Sequence, residues 1–327
     1  MGIMKSILKT FAGGLFLAVC SLGGISAQQL PQFSQYMFNG LHVNPGYAGY
    51  KGEPYLQSTY RSQWTDFPGA PKTLTLTADL SANEGLMGFG LSLLSDQLGP
   101  ARTSSGLLTY AYRIQTGDES YLGLGLSGGV SEYAIDGSML NPNDFDDVHI
   151  PEGRVNFFTP NLNTGIFFHT PRLYAGLSAY NLVGKNSLAK EDIALAYHHI
   201  HYYLTAGVMV PLSDNVQFKP SFLLRTTSQG PSNLDLNGMF LFMERLWLGA
   251  SYRTNVNFND NENFGELSQR NAVAMIAEIF ATKNLRFGYA YDHNTNVLSG
   301  SGNNSHEVSV GYYIAPKTIK MKNPRWF

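Results

Sequence analysis

Residues 72–81 read KTLTLTADLS, and the spacing of their apolar side chains constrains the fold more than anything else in the chain. Leu74, Leu76, Ala78 and Leu80 fall on one side of an extended backbone, and Thr73, Thr75, Thr77 and Asp79 fall on the other. A period of two places successive side chains on opposite faces of a strand. The pattern returns at 215–225, where Val216, Phe218, Phe222 and Leu224 oppose Gln217, Lys219, Ser221 and Arg225. It returns again where Leu285, Phe287, Tyr289 and Tyr291 oppose Arg286, Gly288, Ala290 and Asp292, and where Val308, Val310 and Tyr312 oppose Glu307, Ser309 and Gly311.

Extended along the chain, the alternation predicts strands near 53–64, 72–81, 86–96, 103–114, 120–133, 161–169, 171–182, 199–210, 215–227, 232–242, 245–257, 269–281, 285–294 and 304–314. That is about fourteen strands, most of roughly 9 to 14 residues. Soluble strands average about 5–6 residues, whereas a strand tilted across a bilayer needs about 9–11. Lipid offers backbone groups no water, so such a sheet must close on itself. The expectation is an all-β transmembrane outer-membrane barrel of about 14 antiparallel strands.

The connections point the same way. Every second one is tight (ANEG, QTGDE, T, PLSD, MER, TKN), while the others include TDFPGAP, 134–160, 183–198, 258–268 and 295–303, with the stretch around SQGP short. Bacterial barrels place short turns in the periplasm and long loops outside, so both termini are expected to be periplasmic. Trp64, Tyr60, Tyr110, Tyr112, Tyr312 and Tyr313 lie near strand ends and are expected in the interfacial girdle.

The N-terminus reads as an export signal, residues 1–27. Lys5 and Lys9 precede an apolar stretch, Phe11 to Leu22, and Ile25-Ser26-Ala27 offers a cut before Gln28. Cys20, the one cysteine, lies inside this leader, and Val19 before it does not suit a lipoprotein cut. No later run of about 18 apolar residues forms a helical span. Charged residues are 14% of the chain, well below the roughly 25% of soluble domains. The net charge of −2 makes no case for nucleic acid.

Between leader and barrel stands FSQYMFNGLHVNPGYAGY, 33–50, which has neither helical nor strand period. Residues 28–52 are expected to form a periplasmic segment, followed by the barrel, 53–314, and a basic tail, 315–327. A free tail would not be built from Phe33, Tyr36, Phe38 and Tyr47. The segment is expected to pack in or against the periplasmic mouth as a plug or a partner-docking surface. Asn39 and Asn44 would satisfy backbone groups there, and Pro45 with the glycines would set its turns.

This segment, YRSQWTDFPGAPKTLTLTAD at 60–79, GLGLS with SDQLGP around 88–100, SHEVSVGYY and the closing NPRWF together resemble the PorP/SprF family of outer-membrane proteins. That family is tied to the type IX secretion system and gliding motility of Bacteroidetes. The resemblance runs over nearly the whole mature chain. It implies a barrel of about 14 strands, and a role with secretion-machine subunits or with a secreted surface adhesin. A passive outer-membrane channel for small solutes is the competing reading, for which Lys219 and Arg225 could begin a charge stripe.

No enzymatic site is expected. His198, His199 and His201 lack the further ligands of a metal centre. Ser305 and His306 fall on opposite faces of their strand, and Ser305 and Glu307 share a face but lack a base. The glycines of LGLGLSGG, 122–129, precede no helix and so cradle no phosphate; they permit curvature and close packing. DFDD, 144–147, with Asn141, Asn143 and Glu152 nearby, lacks calcium-loop spacing and reads as a solvated loop. Cofactors are expected to be none. Lys317, Lys320, Lys322 and Arg325 in the tail could touch a periplasmic partner or peptidoglycan, and the outer face would meet outer-membrane lipid.

Overall fold

A computed structural model describes residues 30–65, 67–139, 153–183, 199–227, 230–256, 272–295 and 304–314. The expected leader, the basic tail, the DFDD stretch, His198 and most of the long connections lie outside the described residues. Among the described residues, no helix is long and apolar enough to cross a membrane.

Strands make up nearly everything from residue 55 onward. They are β1 (Tyr55–Ser62), β2 (Lys72–Ala82), β3 (Met87–Leu98), β4 (Ala101–Gly117), β5 (Ser120–Asp136), β6 (Arg154–His169), β7 (Leu173–Tyr180) and β8 (His201–Val208). Then come β9 (Val210–Ser213), β10 (Val216–Thr227), β11 (Gly230–Phe242), β12 (Leu246–Val256), β13 (Ala272–Phe280), β14 (Leu285–Asn294) and β15 (Ser305–Tyr313). β8 and β9 are two pieces of one stave parted at Met209, so the fifteen segments make a 14-stranded antiparallel barrel. The ladder closes on itself: β15 pairs with β1 and β10 with β11.

The alternation that predicts these strands also sorts their faces. Leu74, Leu76 and Leu80 are exposed toward lipid, while Thr73, Thr75, Thr77 and Asp79 are buried inward. Phe287, Tyr289, Val308 and Val310 point out, and Arg286, Asp292, Glu307 and Ser309 point in. Tyr60, Tyr110, Tyr112 and Tyr312 stand on the outer face as expected of a girdle. Tyr313 does not. It is buried in the lumen beside Tyr55, ring centroids 4.5 Å apart, because neighbours in a strand cannot share a face.

One rim carries only tight connections: 83–86, 118–119, 170–172, 214–215, 243–245 and 281–284. Asn83 and Glu84, like Met243 and Glu244, hold consecutive positive φ angles, the geometry that matches the twist of a hairpin. The opposite rim carries 63–71, 137–153, 181–200, 257–271 and 295–304, together with two short links, 99–100 and 228–229. The expected 134–160 loop is shorter than predicted. Residues 154–160 extend β6 and pair with β5 as far as Asp136↔Arg154. The adjacent Phe157 and Phe158, then Pro160, hide that stretch from a period-two reading.

Candidate functional site

The core of the molecule is the lumen, and it is filled by the chain's own residues 30–54. Phe33, Tyr36, Met37, Phe38, Leu41, Val43, Tyr47, Ala48 and Tyr50 are all buried there. The segment advances in single 3-10 turns, Tyr36–Phe38, Gly40–His42 and Pro45–Tyr47. Its backbone groups, having no ladder, are met by side chains of the wall, as buried polar groups require.

At the end near the long connections, the Glu307 carboxylate accepts from the backbone N–H of Ser34 at 2.8 Å and of Gln35 at 2.9 Å. The Gln35 amide donates to the Glu307 carbonyl at 3.1 Å and accepts from Ser309 Oγ at 2.8 Å. Ser34 Oγ donates to Asp292 at 2.7 Å and accepts from Arg61 Nη1 at 2.9 Å. Arg61 also pairs with Glu307 at 2.9 Å and Asp292 at 2.5 Å. Asp292 reaches Arg253 at 3.8 Å, Arg253 binds Asp235 at 2.8 Å, and Asp235 accepts from Arg225. Three arginines and three carboxylates thus form one buried chain from β10 to β1.

Farther along the segment, Asn39 Nδ2 donates to Thr77 Oγ1 at 3.0 Å, and His42 Nε2 lies 3.2 Å from Thr75 Oγ1. Phe33 stacks on His42, Phe38 packs against Trp247, and Tyr36 OH accepts from Asn237. Ser178 Oγ donates to the Val43 carbonyl at 2.5 Å.

Near the tight-turn rim the contacts change character. Asn44 Oδ1 accepts from Gly46 N–H at 2.8 Å and so caps the turn that Pro45 begins. Its Nδ2 donates to the carbonyls of Ile166 at 2.8 Å and Leu177 at 3.3 Å. Pro45 and Gly46 press directly on the strands. A Cβ on Gly125 would lie 2.2 Å from Gly46 N, and one on Gly88 would lie 1.9 Å from the Ala48 carbonyl oxygen. Only glycine admits such a backbone approach. Arg113 Nη2 donates to the Ala48 carbonyl at 2.5 Å, and Gly49 N–H donates to Asp79. Tyr47 and Tyr50 pack edge-on against Phe167. Lys51 Nζ donates to the Phe38 carbonyl at 3.2 Å and sits 4.0 Å over the Tyr55 ring. Burial, with the Arg286 and Lys219 charges close by, holds the Lys51 ammonium well below its usual pKa against a pull from Asp79.

The segment is anchored over the whole lumen, by Glu307 and Asp292 at the long-connection ends of β15 and β14 and by Gly88, Gly125 and Asp79 at the tight-turn ends of β3, β5 and β2. The described chain ends diverge accordingly. Leu30 lines a recess with Thr103, Tyr133 and Arg225 in the long-connection half, while Ile314 N–H donates to the Pro54 carbonyl at the tight-turn rim.

Phe33, Tyr36, Phe38, Asn39, Asn44, Pro45 and Tyr47 all come together in the lumen. Asn44 meets backbone groups, whereas Asn39 meets a hydroxyl. The residues that sequence reasoning missed are on the wall: Glu307, Asp292, Arg61 and the glycines 88, 125 and 165. A carboxylate or arginine at an inward strand position is the signal that could have found the first three, because such a charge needs an internal partner.

Other candidates fall elsewhere. His199 and His201 are buried, with His201 Nδ1 2.9 Å from the His199 carbonyl, and the described residues hold no cluster of three metal-ligating side chains. Ser305 faces the lumen while His306 faces out to Tyr289 OH at 2.7 Å. Lys219 is buried among rings, 5.5 Å from the Tyr174 centroid, and Arg225 is paired.

Comparison with known proteins adds three findings. The family model described as "Type IX secretion system membrane protein PorP/SprF" matches residues 25–312. No curated protein matches the chain. Among solved structures, the chain is similar to a FadL homologue of Pseudomonas aeruginosa, with 12% identity, TM-score 0.46 and coverage of 88% of this chain and 96% of that one. It is similar to the CymD monoaromatic hydrocarbon channel, with 10% identity, TM-score 0.47 and coverage of 87% and 94%. It is similar to Omp33 of Acinetobacter baumannii, with 8% identity, TM-score 0.44 and coverage of 80% and 97%. At such identity and TM-score, none of the three bears on function.

Proposed function

The chain belongs to the PorP/SprF family of type IX secretion system membrane proteins, and from that premise we propose that it is a non-enzymatic outer-membrane barrel, closed by its own residues 30–54, that binds machine subunits or anchors a secreted surface protein. The observation that carries this reading is the filled lumen. Hydrogen bonds from β1, β2, β4, β6, β7, β11 and β15 converge on residues 34–49. A wall so engaged leaves little of the lumen for solutes and favours work done at the rims. In this reading the tight-turn rim faces the periplasm, as in bacterial barrels generally, and the longer connections face the client.

Conductance in liposomes tests it. The full-length barrel is expected to show no large steady openings, and a variant lacking 33–50 is expected to conduct or to lose its partner. Large steady openings in the full-length protein would favour the passive channel instead. Recovery of a tagged barrel from native outer membrane then separates the two partner classes, machine subunits or a secreted surface protein.

A further inference from the structure

The outer wall is apolar over most of its height, and its cations are gathered in one place. Among the described strand residues, the lysines and arginines that face out are Lys72, Arg102 and Arg154, and all three stand at the long-connection ends of their strands. Arg154 is answered within the wall by Glu132 at 3.5 Å, and Glu132 also accepts from Asn156 Nδ2 at 2.9 Å. Lys72 and Arg102 belong to one cross-strand row, through the pairings Lys72↔Gln97 and Gln97↔Arg102. The three side chains of that row are exposed. Neighbouring strands lie about 4.8 Å apart, so two long cationic side chains rise from points roughly 10 Å apart and can close on one group between them.

The level of the row follows from what lies below it. Leu74, Leu76 and Leu80 continue β2 downward on the same exposed face. From Leu80 to Lys72, at about 3.3 Å per residue and a tilt of about 40°, the wall rises roughly 20 Å, against an apolar band about 25 Å tall. The row therefore stands at the upper edge of that band, where lipid head groups begin. Tyr60, which pairs with Leu74, marks the same edge with an interfacial ring. Directly under the row the wall is thin. The outward pairs are Ser95↔Ser104 and, below it, Leu93↔Gly106. Leu93 Cδ2 lies 3.5 Å from where a Cβ on Gly106 would stand, so the leucine borders a shallow furrow. Arg102 Nη2 donates to Ser95 Oγ at 3.2 Å, which holds the guanidinium over the furrow and leaves the serine O–H to donate to a further acceptor.

We infer that this row is a head-group site for a phosphate-bearing lipid of the leaflet at the long-connection rim. The Arg102 fork and the Lys72 point charge take the phosphate oxygens, and Gln97 and Ser95 add neutral donors. Continuity with the lipid-facing band makes the phosphate that of a lipid and not a free ion: its acyl chains lie on Leu74, Leu76 and Leu93 and in the furrow at Gly106. Basic clusters at a membrane surface hold anionic head groups in this way. The site would fix one side of the barrel, β2 to β4, to a particular lipid. The inference needs only that the wall faces outer-membrane lipid, and it is independent of what the lumen or a protein partner does.

The test is native mass spectrometry of the full-length barrel in detergent, titrated with bisphosphorylated lipid A. Saturable binding of lipid A is expected. Each cation near a membrane surface is worth roughly fivefold in binding, so Lys72→Gln and Arg102→Gln are each expected to weaken it about fivefold, and the double variant roughly twentyfold or more. Arg172→Gln, which removes a cation from the tight-turn rim, is expected to change nothing. Gel mobility before and after heating checks that each variant is folded. Two arms need no variant. Lipid A stripped of its phosphates is expected to bind at least tenfold more weakly, and inorganic phosphate at the concentration of the lipid is expected not to displace it. Equal binding by the double variant or by the stripped lipid overturns the proposal. So does displacement by inorganic phosphate, which would make the row a site for a free anion. None of these outcomes alters the conductance test, so the two readings fail separately.

Discussion

The two halves of the internal segment are held by different physics. From Phe33 to His42 the wall offers charge and hydroxyls: a carboxylate gripping two consecutive N–H groups, an arginine shared between two acids, and a threonine for each of Asn39 and His42. From Asn44 to Lys51 it offers mainly shape, with Gly88, Gly123 and Gly125 where the segment's backbone presses closest, and charge enters only through Asp79 on Gly49 N–H and Arg113 on the Ala48 carbonyl. A polar grip is strong only while every partner is present. A steric fit tolerates charge changes but not added volume. The contrast teaches that the first half can be released without dismantling the barrel, whereas the second half behaves as part of the wall.

The largest effect is expected from adding bulk where shape rules. In Gly125→Val the new side chain collides with Pro45 and Gly46 backbone, which cannot move aside as a side-chain tip could. Overpacking commonly costs about 1–3 kcal/mol, and a backbone collision belongs at or above the top of that range. The segment is expected to leave the lumen as a unit, with protease cleavage inside 33–50 and steady conductance. A variant that stays closed and protected would show that the glycine contacts are incidental.

Glu307→Ala strikes the polar half. It strands the Ser34 and Gln35 N–H groups and removes one counter-charge from Arg61, and breaking a buried pair from one side costs about 3–5 kcal/mol. Only residues 30–43 are expected to loosen. Their amides should exchange quickly while those of Tyr47, Ala48 and Gly49 stay slow, and conductance should flicker rather than hold open. Uniform loosening of both halves would erase the distinction.

Much of this was legible beforehand, for a reason that also explains the gaps. Lipid imposes a period of two on every stave, so fourteen strands can be read from Leu74–Leu76–Leu80 and its counterparts. The rule reads badly where doublets break it. Tyr312-Tyr313 reads as one girdle pair although Tyr313 faces in, and Phe157-Phe158 with Pro160 conceals the top of β6. The internal segment stands out in the sequence because its aromatics have no period. Its partners do not stand out, since Arg61 and Glu307 are 246 positions apart and only barrel closure brings them together. The glycines of 122–129 suggested close packing, yet their use as a cradle becomes visible only once Pro45 and Gly46 are seen against them.

A subtler prediction lies at the border between the two halves. Asn44→Ala removes the cap on Gly46 N–H and the donor to the Ile166 and Leu177 carbonyls. A lost cap costs about 1 kcal/mol, and the two carbonyls can still be met by the β6–β7 ladder or by water. A loss of roughly 1–3 kcal/mol is expected in the free energy that holds the segment. It should be read as faster exchange at Gly46 and Tyr47, with the lumen still closed. The smallest effect is expected from Asn39→Ala, which gives up one hydroxyl contact on the polar side, worth about 1 kcal/mol. If Asn39→Ala opened the lumen and Asn44→Ala did not, the hinge would lie in the polar half, and the assignment of wall-like behaviour to residues 44–51 would have to be reversed.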